Sequence, residues 1–148
     1  MDQSAFWHLI EKVDRGALSD CDEQGAVEPL VEALAVLGEA EIKEFENVLS
    51  QCLYDLDGEA YADQAGESGR SGDGFLYSRC YVIAMGKNHY DSVKADPTKM
   101  PKSLDEWCES LLYVSQHAWA AATGKDAESW DYHAPVSYET GSNKANWA

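Results

Sequence analysis

No stretch of this sequence approaches the roughly 18 unbroken apolar residues of a membrane span, so no spanning helix is expected. Basic residues are equally scarce: 11 Lys and Arg stand against 27 Asp and Glu, a formal net charge of −16. Such a surface repels phosphate backbones and anionic lipid, which argues against nucleic-acid and membrane partners. The opening residues, Met1-Asp2-Gln3-Ser4-Ala5-Phe6-Trp7, lack the basic and apolar regions of a secretory signal, and a cytoplasmic location is expected. Cys21, Cys52, Cys80 and Cys108 form no Cys-x-x-Cys pair, and none has a His at zinc-finger spacing. Reduced thiols are expected, with Cys52, Cys80 and Cys108 serving as small core residues.

Signatures of catalysis are missing too. There is no Gly-x-Ser-x-Gly elbow and no His-x-x-x-His pair, and Gly66-Glu67-Ser68-Gly69-Arg70-Ser71-Gly72 lacks a phosphate-binding Lys. Asp55-x-Asp57-Gly58-Glu59 imitates the start of a calcium loop. Its sixth position is Ala60 and its twelfth is Gly66, where that loop needs Gly and a carboxylate. The expectation is therefore a protein that is not an enzyme and uses no metal or cofactor.

What is present is helical periodicity. The apolar residues, 45% of the 148, with five Trp and eight Tyr among the chain's aromatics, suffice for one real core. Phe6, Leu9, Ile10 and Val13 predict a helix from about Ser4 to Arg15, stopped by Gly16. Val27, Leu30, Val31, Leu34 and Leu37 predict a second, which starts near Glu28 with Pro29 in its first turn or kinks there. Ile42, Phe45, Leu49, Cys52, Leu56 and Ala60 predict a third of about five turns. A loop is expected over 62–71. Phe75, Arg79, Val82 and Ile83 then predict a helix ended by Gly86, followed by a short one between Asn88 and Ala95. Ser103-x-x-Glu106 has the form of a capping box, opening a helix that carries Leu104, Trp107, Leu111, Val114 and Ala118 and closes at Gly124.

The expected architecture is thus all-α: a single-domain bundle of five or six helices over residues 1–124, with an irregular aromatic tail over 125–148. The core should hold Phe6, Leu9, Ile42, Phe45, Leu49, Phe75, Ile83, Trp107 and Leu111. The tail carries Trp130, Tyr132, Tyr138 and Trp147. Its start is expected to pack back on the helices, with the last ten or so residues loose.

Several stretches together resemble a bacterial family of domains of unknown function. They are Phe6-Trp7-His8-Leu9-Ile10-Glu11, Glu41-Ile42-Lys43-Glu44-Phe45, Ser71-Gly72-Asp73-Gly74-Phe75-Leu76-Tyr77-Ser78-Arg79 and Ile83-Ala84-Met85-Gly86. The likeness runs from about Ser4 to Gly124 and is most specific at Asp73-Gly74-Phe75-Leu76-Tyr77-Ser78-Arg79. It departs from the family at Gly72, where the pattern has Asp, and in the polar run 62–70, where the pattern is apolar. The resemblance implies no catalytic residue. Small acidic members of such families resemble antitoxins or immunity proteins, which bind and block a toxin.

The first functional expectation is therefore a cytoplasmic immunity protein whose acidic face occludes the basic active site of a toxin enzyme. The end of the third helix and the loop beyond it hold five acids and no base before Arg70. The expected contact residues are Asp55, Asp57, Glu59, Asp63 and Glu67, with Tyr54 and Tyr61 as anchors. The bland alternative for these acids is a solvated helix edge. A second expectation is a small regulatory or metabolite-binding domain with a pocket near Arg79, Tyr77 and Trp107, and a third is a cryptic hydrolase. Arg79 has a structural reading as well, an ion pair with Asp73.

Overall fold

Short polar side chains set where the helices begin. In the computed structural model, which describes residues 1–148, the chain forms eight α-helices, several 3-10 turns and no strand. Asp2 opens α1 (Gln3–Ile10), its carboxylate accepting from the Ala5 N–H at 2.8 Å. Asp14 opens α2 (Arg15–Ser19), Asp22 opens α3 (Glu23–Ala35), and Ser71 opens α6 (Gly72–Ala84), each through the N–H three residues on. Each such cap satisfies a donor that the helix cannot, and stabilises by about 1 kcal/mol. The Asp14 cap explains why the expected first helix divides into α1 and α2, with Gly16 inside the second piece. The Asp22 cap likewise places the start of α3 at Glu23, leaving Pro29 within the helix.

α4 spans Glu39–Asp55, α5 spans Glu59–Ala62, α7 spans Lys87–Ala95 and α8 spans Val114–Thr123. The expected five-turn third helix stops at Asp55. Asp57 N–H turns back to the Tyr54 carbonyl at 3.1 Å, and Gly58 lets the chain restart as α5. The expected loop 62–71 holds a 3-10 turn at Gly66–Arg70. The Ser103–Glu106 capping pair forms, but it opens only a turn. Helical structure resumes at Glu109–Tyr113 and then in α8, which ends on Gly124 in the left-handed region (φ 74°) that glycine adopts without strain. No helix is long and apolar enough to cross a membrane.

The chain divides into two compact units, and the boundary falls inside α4. The first comprises Met1–Leu49 and Ser110–Pro135. Its core is hydrocarbon and aromatic: Phe6, Ile10, Leu30, Leu34, Ile42, Phe45, Leu49, Val114 and Ala118 are all fully buried. α3 lies along α8. The start of the tail packs here as expected, with Trp130 against Trp119 and Tyr132 at 5.6 and 5.8 Å, and the Tyr132 hydroxyl donating to Asn47.

The second unit comprises Ser50–Glu109 and Val136–Ala148. Leu53, Leu56, Phe75, Val82, Ile83 and Val93 fill its centre, together with the thiols of Cys80 and Cys108. Burial pushes the Cys52 thiol up to about 12, which keeps it in the role of a small core residue. Tyr90 is buried beside it and donates its hydroxyl to the Cys52 carbonyl at 2.9 Å. Of the expected core, Trp107 alone lies half-buried, because its indole N–H reaches the Ser68 hydroxyl at 2.8 Å.

Candidate functional site

The second unit buries two charged side chains, and both serve its terminal segment. Asp57 follows the end of α4 and is fully buried. Its carboxylate accepts from the backbone N–H of Gly141 at 3.1 Å, the N–H of Asn143 at 2.9 Å and the indole N–H of Trp147 at 3.0 Å. A carboxylate out of water is tolerated only when its lone pairs are taken up, and here three donors from one segment do so. Asp57 was expected on the contact surface. It lies inside instead, because the break after α4 turns its side chain toward these N–H groups.

Arg79, on α6, is the complementary element. It is fully buried, as the structural reading expected, but Asp73 is not its partner. Six residues along a helix amount to about 240° of rotation, so the two side chains leave α6 in different directions, and Asp73 is exposed. The guanidinium instead donates to the Leu53 carbonyl at 2.7 Å, the Tyr138 carbonyl at 3.1 Å and the Thr140 hydroxyl at 3.0 Å. It also lies over the Phe75 ring at 4.6 Å. Burial lowers its pKa, opposed by the charge of Asp57. The two terminal nitrogens of Arg79 are thus engaged by the chain's own oxygens, its Nε is buried without a hydrogen-bond partner, and the side chain is closed to solvent. Tyr77 and Trp107, expected beside it in a ligand pocket, meet each other edge to face at 5.4 Å.

The last ten residues are consequently fixed, against the expectation that they are loose. Arg79 holds Tyr138 and Thr140, while Asp57 holds Gly141, Asn143 and Trp147. Asn143 donates to the Tyr54 carbonyl at 3.0 Å, and Trp147 meets Phe75 edge-on. A side chain at Gly58 would come within 2.8 Å of Asn146, so glycine there allows the segment to approach. Asn143, Thr140 and Trp147 were missed as anchoring residues. The aromatic content of the tail was the one sign of them.

The other expected contact residues divide in two. Asp55 is half-exposed and engaged, accepting from Gln51 at 2.8 Å and facing the Lys94 ammonium at 3.6 Å. The Tyr61 hydroxyl donates to the Lys94 carbonyl at 2.8 Å, and burial raises its pKa. Tyr54 is half-buried with its carbonyl occupied by Asn143. Glu59, Asp63 and Glu67, by contrast, are exposed, and no Lys or Arg pairs with any of them, although Glu59 accepts from the Ala148 N–H at 3.3 Å. Glu59 and Asp63 stand four residues apart, one helical turn across α5, and so share a face. They line a shallow, open depression of about 440 Å³ whose other side is formed by residues 145–148. The site that emerges is a small acidic recess that Trp147 also lines, and Asp57 holds the indole N–H of that residue.

The model of the family described as "Protein of unknown function (DUF4240)" matches residues 1–121, and the chain belongs to that family. No curated protein and no solved structure matches the chain.

Proposed function

We propose that this DUF4240 member is a binding protein rather than an enzyme, and that its α5 face receives a basic protein partner. The mode is that of an immunity protein, which occludes the basic active site of a toxin. One observation carries the reading: Glu59 and Asp63 are exposed without a cation and line a recess that Trp147 also lines. Two like charges one turn apart repel each other, so a cation entering between them relieves a cost as well as making an attraction. Lys or Arg brings that cation on an apolar stem, and an indole face adds a cation–π contact of about 0.5–2 kcal/mol. Glu67 extends the negative field beyond the recess and speeds association with a basic surface.

The test is association with the product of the adjacent gene, measured by calorimetry and by protection of cells against that product. Glu59→Lys, Asp63→Lys and Glu67→Lys together should leave the helical circular dichroism unchanged and abolish both binding and protection. The parent complex should weaken steeply with salt. If the triple variant binds and protects as well as the parent, the α5 face is not the interface.

A further inference from the structure

A second recess lies wholly within the first unit, between α3 and α8. It has a volume of about 430 Å³, in the range of cavities that hold small organic molecules. Its apolar part comes from Val27, Val31 and Ala121, and the small side chain of Ala121 leaves the space unfilled. Around it stand Gln24 and Glu28 from α3, with Tyr113 and His117 from the α8 side. No Lys or Arg lines it. α3 carries three Glu and no base along its whole length. Glu23 adds a second carboxylate beside the recess, where its Oε1 accepts from the backbone N–H of Ser110, itself a lining residue, at 3.1 Å.

We propose that this recess binds a small organic cation, a protonated amine carried on an apolar body. The aliphatic side chains of Val27 and Val31 take the body. The Glu28 carboxylate takes the ammonium through a charge-assisted hydrogen bond, which is roughly twice as strong as a neutral one. The Gln24 amide oxygen is a further acceptor within the lining. An anion of the same shape is repelled by Glu28 and finds no Lys or Arg in the lining. The proposal is independent of the α5 face, which belongs to the other unit.

The test uses three probes of one shape: phenethylammonium, 2-phenylethanol and phenylacetate, each titrated into the full chain while backbone amide shifts are followed by NMR. Phenethylammonium should give saturable shifts centred on Val31, His117 and Ala121, and should bind roughly tenfold or more tightly than phenylacetate. Glu28→Gln, at an exposed position, should weaken the cation roughly tenfold while leaving 2-phenylethanol unchanged. Ala121→Trp should fill the recess and remove binding of all three. If that variant loses its fold, Glu28→Gln alone decides. The proposal is overturned if phenethylammonium gives no saturable shift up to about 10 mM, if phenylacetate binds as tightly, or if Glu28→Gln leaves the cation's affinity unchanged.

Discussion

The two units fasten their shares of the tail by opposite chemistry. In the first, Trp130 lies between Trp119 and Tyr132, and the attachment is chiefly aromatic area. In the second, the attachment is polar: residues 138–147 are held by a buried carboxylate and a buried guanidinium that between them engage five positions of the segment. Aromatic contact is tolerant, because a displaced ring still buries surface. Buried charge is not, because each donor or acceptor left unmatched costs its full desolvation. The second unit should therefore fail more abruptly than the first when a single partner is removed.

The largest effect is expected at that polar hub. Asp57→Ala strands the N–H groups of Gly141 and Asn143 and the indole of Trp147. Arg79→Ala strands the Leu53 and Tyr138 carbonyls and leaves a void over Phe75. Each should cost about 3 kcal/mol or more in chemical denaturation, because several hydrogen bonds to a buried charged group are lost at once and their partners are left unmatched. Hydrogen exchange gives the sharper reading. Protection at Gly141 and Asn143 should disappear in both variants, while that of Phe45 and Leu49 in the first unit should change far less. If protection falls evenly across the chain, the contrast between the units does not hold.

A large but more diffuse effect is expected in the first unit. Phe45→Ala removes a fully buried ring that sits 5.0 Å from Phe6. The loss should approach about 3–5 kcal/mol, the usual cost of deleting a buried aromatic side chain. Phe45→Leu should recover most of it, because volume and apolarity are what the position needs. No conservative change is expected to rescue Asp57 in this way: Asn offers one acceptor and turns an NH2 toward donors. That difference in rescue is a second measure of the contrast.

Both chemistries bear on what the sequence made legible. The helix stripes were readable because burial repeats every three or four residues, and Ile42, Phe45, Leu49, Phe75 and Ile83 are fully buried as their spacing predicts. Of the hub, the burial of Arg79 was readable from its place in the α6 stripe, but the burial of Asp57 and the partners of both were not, because those partners lie far along the chain. Helix ends were only partly legible. The Ser103–Glu106 pair forms at 3.3 Å, yet Cys108 N–H is drawn to the Tyr77 carbonyl and the Trp107 indole to Ser68, so the segment follows tertiary partners rather than a helix. Of the acidic contact set, Glu59, Asp63 and Glu67 keep the exposure expected of them. Asp57 does not, since sequence distance gives no hint of the N–H groups that enclose it.

A smaller, pH-dependent effect tests whether the first unit is as apolar as its core suggests. Glu46, on α4, is buried with Ser115 as its hydrogen-bond partner at 3.0 Å. Burial raises its pKa above the ordinary 4.5, opposed by the Ser115 hydroxyl. A carboxyl raised on folding stabilises fully below its unfolded value, and the contribution is lost as pH rises through the folded value. The parent should therefore carry this cost at neutral pH. Glu46→Gln, which keeps an acceptor for Ser115, should raise Tm at pH 7, and the gain should shrink as pH falls toward 4.5. A gain that does not vary with pH would remove burial of the charge as its cause.

The smallest effect separates stability from recognition at the α5 face. Asp63→Lys replaces one of two like charges at i,i+4 and leaves Glu59 one turn before a base, the favourable order for such a pair. The position is exposed and its side chain supports nothing else in the fold. Stability should rise by about 0.3–0.5 kcal/mol, and less in high salt, because exposed pairs are screened. Binding of a basic partner should fall by far more, since the recess then presents an ammonium where a cation must enter. Glu59 accepts from the Ala148 N–H, but Asp63 has no such partner, so relief of the repulsion at Asp63 should cost the fold nothing. If Asp63→Lys instead destabilises the chain, these acids support the fold in a way their exposure does not suggest, and the case for the recess as a contact site loses its basis.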